Sequence, residues 1–335
     1  MTYIIAEIGN NHNGSIKKAK QLVKEAVNSG VDAIKTQSFR GLDIVSPKVL
    51  MSDLPDWDDG KFKYWYQFAE DLALPLENHQ ELIDFTNSLN IDFITTPVSV
   101  EILEELESFK GIRGYKVASM DLTNTNLLIE MSKTDKPIIM STGMGSEKEI
   151  ERAVNIFKNS DLTLLHCVSD YPLNPSNAFL GNIKILKETY KDLKIGFSDH
   201  SLSHELSIAA VSLGAEVIEK HFTLNRNDED RAEHHMSMEP DEFSILTKWI
   251  KVLDNNISQE TWGRSEIEES NKENSRRSFH YKTNLTIGHR ITLKDLAFVR
   301  PGKGIGYDHL NKILHKKLTR PVNSFSPCLL TDFES

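Results

Sequence analysis

Short apolar, β-branched runs recur along the chain, each followed by a longer stretch in which apolar residues return every three to four positions. The runs are YIIAE (3–7), DAIKTQ (32–37), DFITTP (92–97), GYKVA (114–118), PIIMS (137–141), LTLLHC (162–167), KIGFS (194–198) and EVIEKH (216–221). Continuous apolar runs, rather than strict alternation, suit strands buried on both faces. The intervening segments read as helices. SIKKAKQLVKEAVNSG (15–30) puts Ala19, Leu22, Val23, Ala26 and Val27 on one stripe and closes on Gly30. SHELSIAAVSLG (203–214) repeats the pattern, with Ser203 as the expected N-cap and Gly214 closing it. Strands alternating with helices predict βαβ units and parallel strands. Eight such units within 254 residues predict a closed (β/α)8 barrel, a TIM barrel. A doubly wound open sheet is the competing arrangement; it is disfavoured because no G-x-G-x-x-G follows the first strand.

Two segments break the rhythm. Residues 38–80 form an insertion after the second strand, expected as a loop with short helical pieces, and LPDWDDGKFKYWYQ carries tryptophans expected to pack. Residues 255–277 are polar, charged and nearly free of aliphatics, which reads as a linker. Beyond it, residues 278–335 show short β-like pieces, Gly-Pro turns and a helix-like stretch, DHLNKILHKKL. The expected organisation is a barrel domain over 1–254, the linker, and a small β-rich domain over 278–335.

A net charge of −10 argues against affinity for nucleic acid or an anionic membrane, without forbidding a local cationic pocket. Two cysteines, Cys167 and Cys328, with no C-x-x-C, exclude a disulfide scaffold and a thiolate zinc site. The chain has no apolar run of membrane-spanning length, and the expectation is a soluble, cytoplasmic protein.

The strand ends carry the chemistry. They hold Glu7, Lys35, Gln37, Thr96, Lys116, Ser119, Ser141, His166, Ser198, His200, Glu219 and His221. A barrel builds its active site at this end, and core packing alone would place aliphatic residues there. One half of the set is cationic and hydroxylic: Lys35, Lys116, Thr96, Ser119, Ser141 and Ser198 suit a small polyanion. The other half pairs His200 with His221, on neighbouring strands, with Glu7 and Glu219 nearby; this suits a divalent ion with open positions. Lys220 alternates outward. At 166–167 either His166 or Cys167 faces the mouth. His234 and His235 lie in a loop and read as solvated.

Eight stretches in order carry a resemblance: AEIGNNHNGS (6–15), IKTQSF (34–39), TTPVS (95–99), GYKVASMD (114–121), IIMSTGM (138–144), LLHCVSDYP (164–172), GFSDHS (196–201) and EKHFT (219–223). Together they resemble the sialic acid synthase family. ITLKDLAFVRPGKGI (291–305) resembles that family's C-terminal antifreeze-like (SAF) domain. The resemblance implies a transferase that condenses phosphoenolpyruvate with an open-chain N-acylated hexosamine, N-acetylmannosamine first among them, using Mn2+ or Mg2+ and releasing phosphate. It implies His200 and His221 as metal ligands, and Lys35, Thr96, Lys116, Ser119, Ser141 and Ser198 as the phosphoenolpyruvate pocket. Glu7 resembles an acidic residue near the aldehyde, and Gln37 and Tyr171 resemble sugar-binding positions. Asp121 stands where an acid/base or water-orienting role is implied. Arg300 resembles an arginine reaching from the small domain of one protomer into the barrel of another, which implies a domain-swapped homodimer. Two positions depart from the pattern. The loop that commonly reads GPDHxxS is RAEHHMS (231–237) here, so Glu233 takes the acidic place and Ala232 replaces proline. An asparagine after the His-Cys pair becomes Ser169.

Rivals within the family are legionaminic and pseudaminic acid synthases, which take 2,4-diacetamido-trideoxyhexoses; Met236 and Met238 lean toward such less polar sugars. Outside the family, the competing readings are a Schiff-base aldolase and a non-catalytic carbohydrate- or ice-binding module.

Overall fold

The computed structural model describes residues 1–53, 60–228, 233–257 and 261–334. The chain divides into two compact units, Met1–Ser258 and Gln259–Ser335. In the first, β1 (Tyr3–Gly9), β2 (Ala33–Ser38), β3 (Asp92–Pro97), β4 (Ile112–Val117), β5 (Ile138–Ser141), β6 (Leu162–Cys167), β7 (Lys194–Asp199) and β8 (Val217–His221) form a closed parallel barrel in sequence order. β8 closes onto β1, with Tyr3 opposite Val217 and Glu7 opposite His221. The barrel expectation holds.

Two apolar layers follow from the pleat. Outward-facing residues such as Ile34, Phe93, Tyr115 and Phe197 pack against the surrounding helices. Inward-facing Ile5, Ala33, Ile94, Ile139, Leu165 and Val217 form a separate cluster that fills the barrel. Because side chains alternate with a period of two, the residue two places further along each strand faces the same interior. Those next inward places are Glu7, Lys35, Thr96, Ser141, Cys167 and Glu219, so the filled core gives way to polar groups at one level around the barrel.

The helix Ile16–Asn28 starts at Ser15, whose hydroxyl accepts the Lys18 N–H at 3.3 Å. It ends before Gly30, whose φ of +85° suits glycine. In 203–214 the helix is Glu205–Ser212; its N-cap position is His204, with no side-chain cap, so Ser203 does not cap it as expected. The insertion contains the helices Gly41–Ile44 and Trp65–Leu72 and a 3-10 turn at Met51–Asp53. Trp65 packs against the Met51–Phe68–Leu72 cluster, while Trp57 lies outside the described residues.

The linker expectation needs correction. The helix Pro240–Ile257 runs into that stretch, and Glu266–Ser275 is a further helix, capped by Ser265 at the Glu268 N–H. It buries no residue, which is why its sequence carries no apolar stripe. The second unit contains β9 (Ser278–Tyr281) paired antiparallel with β10 (Leu296–Val299) over a core that includes Phe279, Ile291, Leu310 and Leu318. DHLNKILHKKL is not an α-helix: only a 3-10 segment, Tyr307–Lys312, forms, and Leu318 goes on to bridge Phe333. No helix among the described residues is long and apolar enough to cross a membrane.

Candidate active site

A cavity of about 430 Å³ opens at the C-terminal ends of the barrel strands. Of the expected site residues, Lys35, Gln37, Thr96, Lys116, Ser119, Ser141, Tyr171, Ser198, His200, His221 and Glu233 all line it. Strand register explains the convergence. Glu7 is opposite Lys35, Gln37 opposite Thr96, and Ser198 opposite Glu219.

The cationic floor is built around Glu219. Its carboxylate lies 3.6 Å from Lys35 Nζ and 4.0 Å from Lys116 Nζ, and it accepts the Ser198 hydroxyl at 2.8 Å. Burial pushes Glu219 up, but Lys116, then Lys35 and the Ser198 hydroxyl outweigh it and hold the carboxyl down at about 2. Glu219 therefore belongs to the anion half, not to the histidine half as the sequence suggested. Lys116 Nζ also donates to Ser141 Oγ at 2.6 Å and to Val117 O at 2.8 Å. Burial lowers this ammonium, with Glu219 acting against the loss. Lys35 is paired with Glu7. Burial works against the Lys35 charge too, but Glu219 and Glu7 prevail and raise it. Glu7 itself is raised by burial despite the ammonium beside it. Thr96 Oγ1 is buried with no protein partner, a hydroxyl held ready for a ligand.

The other wall carries the imidazoles. The His200 and His221 rings lie 5.4 Å apart between centroids. His200 Nδ1 sits 3.1 Å from Val168 O, so that nitrogen donates and Nε2 keeps its lone pair. His221 Nδ1 faces Glu233 Oε2 at 3.3 Å, a charge contact. Burial lowers His221, but Glu233 outweighs it and raises the imidazole; Glu233 is in turn brought to about 2, chiefly by His221 acting against burial. Among the described residues no group of three or more His, Cys, Asp or Glu is arranged to hold a metal. The donor set fits a cation held by two imidazoles, with its other positions left to water or substrate oxygen.

Glu233 is set in place by a contact between distant segments. Asn11 Nδ2 donates to Phe222 O and to Ser237 Oγ, both at 2.9 Å, and Ser237 Oγ donates to Glu233 O at 2.7 Å. Gly9, with φ +45°, lies directly beneath: a Cβ there would collide with Glu233 Oε2 and sit 3.2 Å from Glu7 Oε1. The AEIGNNHNG stretch thus shapes the site mainly through backbone and amide contacts.

Several expected residues stand elsewhere. Glu7 is fully buried behind Lys35 and does not line the cavity. Asp121 is also absent from the lining; Asn124 Nδ2 donates to it at 3.1 Å in the turn after β4, which turns the expected acid/base group toward local structure. Burial raises its carboxyl. Arg300 is exposed, in the second unit. His166 points outward, donating through Nε2 to Ala178 O at 2.7 Å and stacking on Phe197, and Cys167 takes the inward place. Lys220 points outward as expected, into a buried pair with Asp199 at 2.9 Å. His234 is not solvated: it is buried, 2.5 Å from Thr223 Oγ1, whereas His235 lines the mouth. Met238 is a core residue, and Met236 lines the cavity. Arg231 and Ala232 lie outside the described residues. Ser169, the position that departs from the family pattern, lines the cavity beside Tyr171.

The comparisons agree with this geometry. Residues 22–261 match the model of the NeuB family. The N,N'-diacetyllegionaminic acid synthase of Campylobacter jejuni is 35% identical over 95% of this chain and 96% of its own. The pseudaminic acid synthase of the same organism is 30% identical over 99% and 96%. Among solved structures, the N-acetylneuraminic acid synthetase of Leptospira borgpetersenii, crystallised in complex with citrate, superposes with a TM-score of 0.71 at 32% identity, covering 80% of this chain and 89% of that one. On a family match that spans most of the barrel, and on relatives aligned over nearly all of both chains, the protein belongs to the NeuB family.

Proposed function

We propose that this protein joins phosphoenolpyruvate to an open-chain N-acylated hexosamine, giving a nine-carbon 2-keto-3-deoxy sugar acid and phosphate. The observation that carries the reading is one cavity with two chemically distinct walls: Lys35, Lys116 and hydroxyls on one side, and His200, His221 and Glu233 on the other. The named activities of the relatives support it: synthases of legionaminic, pseudaminic and sialic acids.

In this reading Lys35 and Lys116 hold the phosphate and carboxylate of the enol ester, with Thr96, Ser141 and Ser198 as donors. Glu219 keeps both ammoniums charged and in place before the anion arrives. Gln37, Tyr171 and Glu233 orient the sugar, so that its aldehyde carbon meets C3 of phosphoenolpyruvate. The C2=C3 π pair of the enol ester becomes the new C–C bond, the aldehyde C=O π pair moves onto its oxygen, and that oxygen ends as a hydroxyl with the proton lost by the water that adds at C2. Water adds at the C2 cation, and the tetrahedral adduct breaks its C–O bond to release phosphate. A divalent ion on His200 and His221, Mn2+ or Mg2+, would supply Lewis-acid polarisation of the aldehyde oxygen.

The test is phosphate release from phosphoenolpyruvate. Release is expected only with both an acylated hexosamine and a divalent ion present. Release without sugar, or a covalent borohydride adduct of pyruvate at Lys35 or Lys116, would replace the condensation by another chemistry.

The homodimer belongs to this proposal: an Arg300 supplied by a second copy of the chain would meet the sugar. Arg300→Ala is expected to raise KM for the sugar by about tenfold or more, in line with loss of a hydrogen bond to a charged group, and KM for phosphoenolpyruvate much less. Equal losses for both substrates would count against that assignment.

A further inference from the structure

A buried network of charge lies behind the two imidazoles, on the outer face of the barrel. β7 and β8 are paired as far as Asp199 opposite Lys220. The residues before these, Ser198 and Glu219, line the cavity, so alternation turns Asp199 and Lys220 toward the surrounding helices. Lys220 Nζ lies 2.9 Å from Asp199 Oδ2 and donates to Ser201 O at 2.7 Å. Asp199 Oδ1 accepts the Ser201 N–H at 2.8 Å. Asp199 Oδ2 also accepts the Ser207 hydroxyl, from the helix Glu205–Ser212, at 2.6 Å. Asp199, Ser201, Ser207 and Lys220 are all buried.

The condensation uses none of these groups. Stability does not account for them either, since a buried ion pair is often no more stabilising than apolar side chains of the same volume: both ions give up their hydration. What the network supplies is direction. His200 stands between Asp199 and Ser201, just past the end of β7 and past its last pair with β8. Its backbone there is fixed from the flanks. Ser201 is held at both polar backbone atoms, the N–H by Asp199 and the carbonyl by Lys220. The Leu173 N–H donates to the His200 carbonyl at 2.9 Å. His221 follows Lys220 directly. The turn that carries one imidazole is thus tied, through the Lys220 ammonium, to the residue beside the other.

We propose that Asp199 and Lys220 are positioning residues: their buried pair, with Ser201 and Ser207, holds the His200 turn against the end of β8, and so sets the spacing of the two imidazoles and the affinity for a divalent ion. The inference rests on the reading of His200 and His221 as the ligands of that ion and deepens it. Two nitrogens bind one cation well only when their separation and direction are held by the groups behind them.

The experiment titrates Mn2+ into the full chain and follows the free ion by electron paramagnetic resonance, with a thermal melt of each preparation. The double variant Asp199→Asn, Lys220→Met removes both charges together, so neither is left buried alone. It is expected to bind Mn2+ at least about tenfold more weakly, the scale on which groups behind metal ligands act. Inorganic phosphate, a probe of the lysine half of the cavity, is expected to raise its melting midpoint as much as that of the wild type. Ser207→Ala keeps the pair and removes one hydrogen bond to Asp199; it is expected to weaken Mn2+ severalfold at a wild-type melt, and it carries the test if the double variant does not fold. Wild-type Mn2+ affinity in the folded variants overturns the inference and leaves the metal reading standing. Loss of the phosphate response in step with Mn2+ affinity makes the pair a general support, and overturns it too. A wild-type chain that binds no Mn2+, or whose Mn2+ binding survives His200→Ala and His221→Ala together, overturns the metal reading and the inference with it.

Discussion

His221→Ala is expected to lower kcat by at least about a thousandfold, the scale on which removing one electrostatic contributor from a reacting centre is felt. The geometry concentrates several roles on this imidazole. It lies 5.4 Å from the His200 ring, stands opposite Glu7 in the β1–β8 register, and faces Glu233 at 3.3 Å. Removing it leaves one imidazole for the cation and takes away the ring nitrogen that Glu233 faces. The fold is expected to survive, because the ring lines a cavity and takes no part in the apolar clusters. Steady-state phosphate release and a thermal melt on the same preparation check both halves. A well-folded variant with ordinary turnover would remove His221 from the chemistry.

Glu219→Ala is expected to be among the most damaging substitutions for stability, costing about 3–5 kcal/mol, because it leaves two buried ammoniums without their shared counter-charge. Lys35, Lys116 and Glu219 are all nearly inaccessible to solvent. The sign with pH follows from the same contacts. The folded carboxyl, at about 2, lies below its ordinary range. Its contribution is therefore fully present above about pH 4.3, the unfolded value, and is lost as pH falls from there through 2. Urea unfolding should show the wild-type chain losing stability over that acid window, with a flatter acid limb in Glu219→Ala. Inorganic phosphate offers a second readout. As an anion that binds the folded cradle, it should raise the midpoint of the alanine variant more than that of the wild type. Equal stability of the two chains at pH 7 would show that Glu219 does not organise the lysines.

Much of this site was legible in the primary structure because barrel strands are short, buried on both faces and polar only at their ends. β3 and β6 coincide with the runs read from the sequence, and the others differ by one or two residues at an end. The choice between His166 and Cys167 was also open to solution from the chain alone. Leu165 fills the barrel interior, so the inward place two residues on belongs to Cys167. Other features were not legible, for physical reasons. The helix Glu266–Ser275 buries nothing, so it carries no hydrophobic period to read. Glu219 shares the inward face of β8 with His221, which suggests a common role, whereas its actual partners are the lysines of β2 and β4, which only the closed barrel brings near. His234 looked solvated because nothing in RAEHHMS announces that Thr223 will meet it.

The pairing of β1 with β8 has a consequence for how the protein is made. Glu7 meets His221, and Asn11 reaches Phe222 and Ser237, across more than two hundred residues. Contacts so remote in sequence are slow to form, since the intervening polymer must first be brought into a loop. A nascent chain that has left the ribosome only as far as Gly196 already carries Lys35, Thr96, Lys116 and Ser141, yet holds neither imidazole and no seam to seal the cylinder. Partial translation products would thus be unable to turn over substrate, and competence arrives in a single late step, when the first strand captures the eighth.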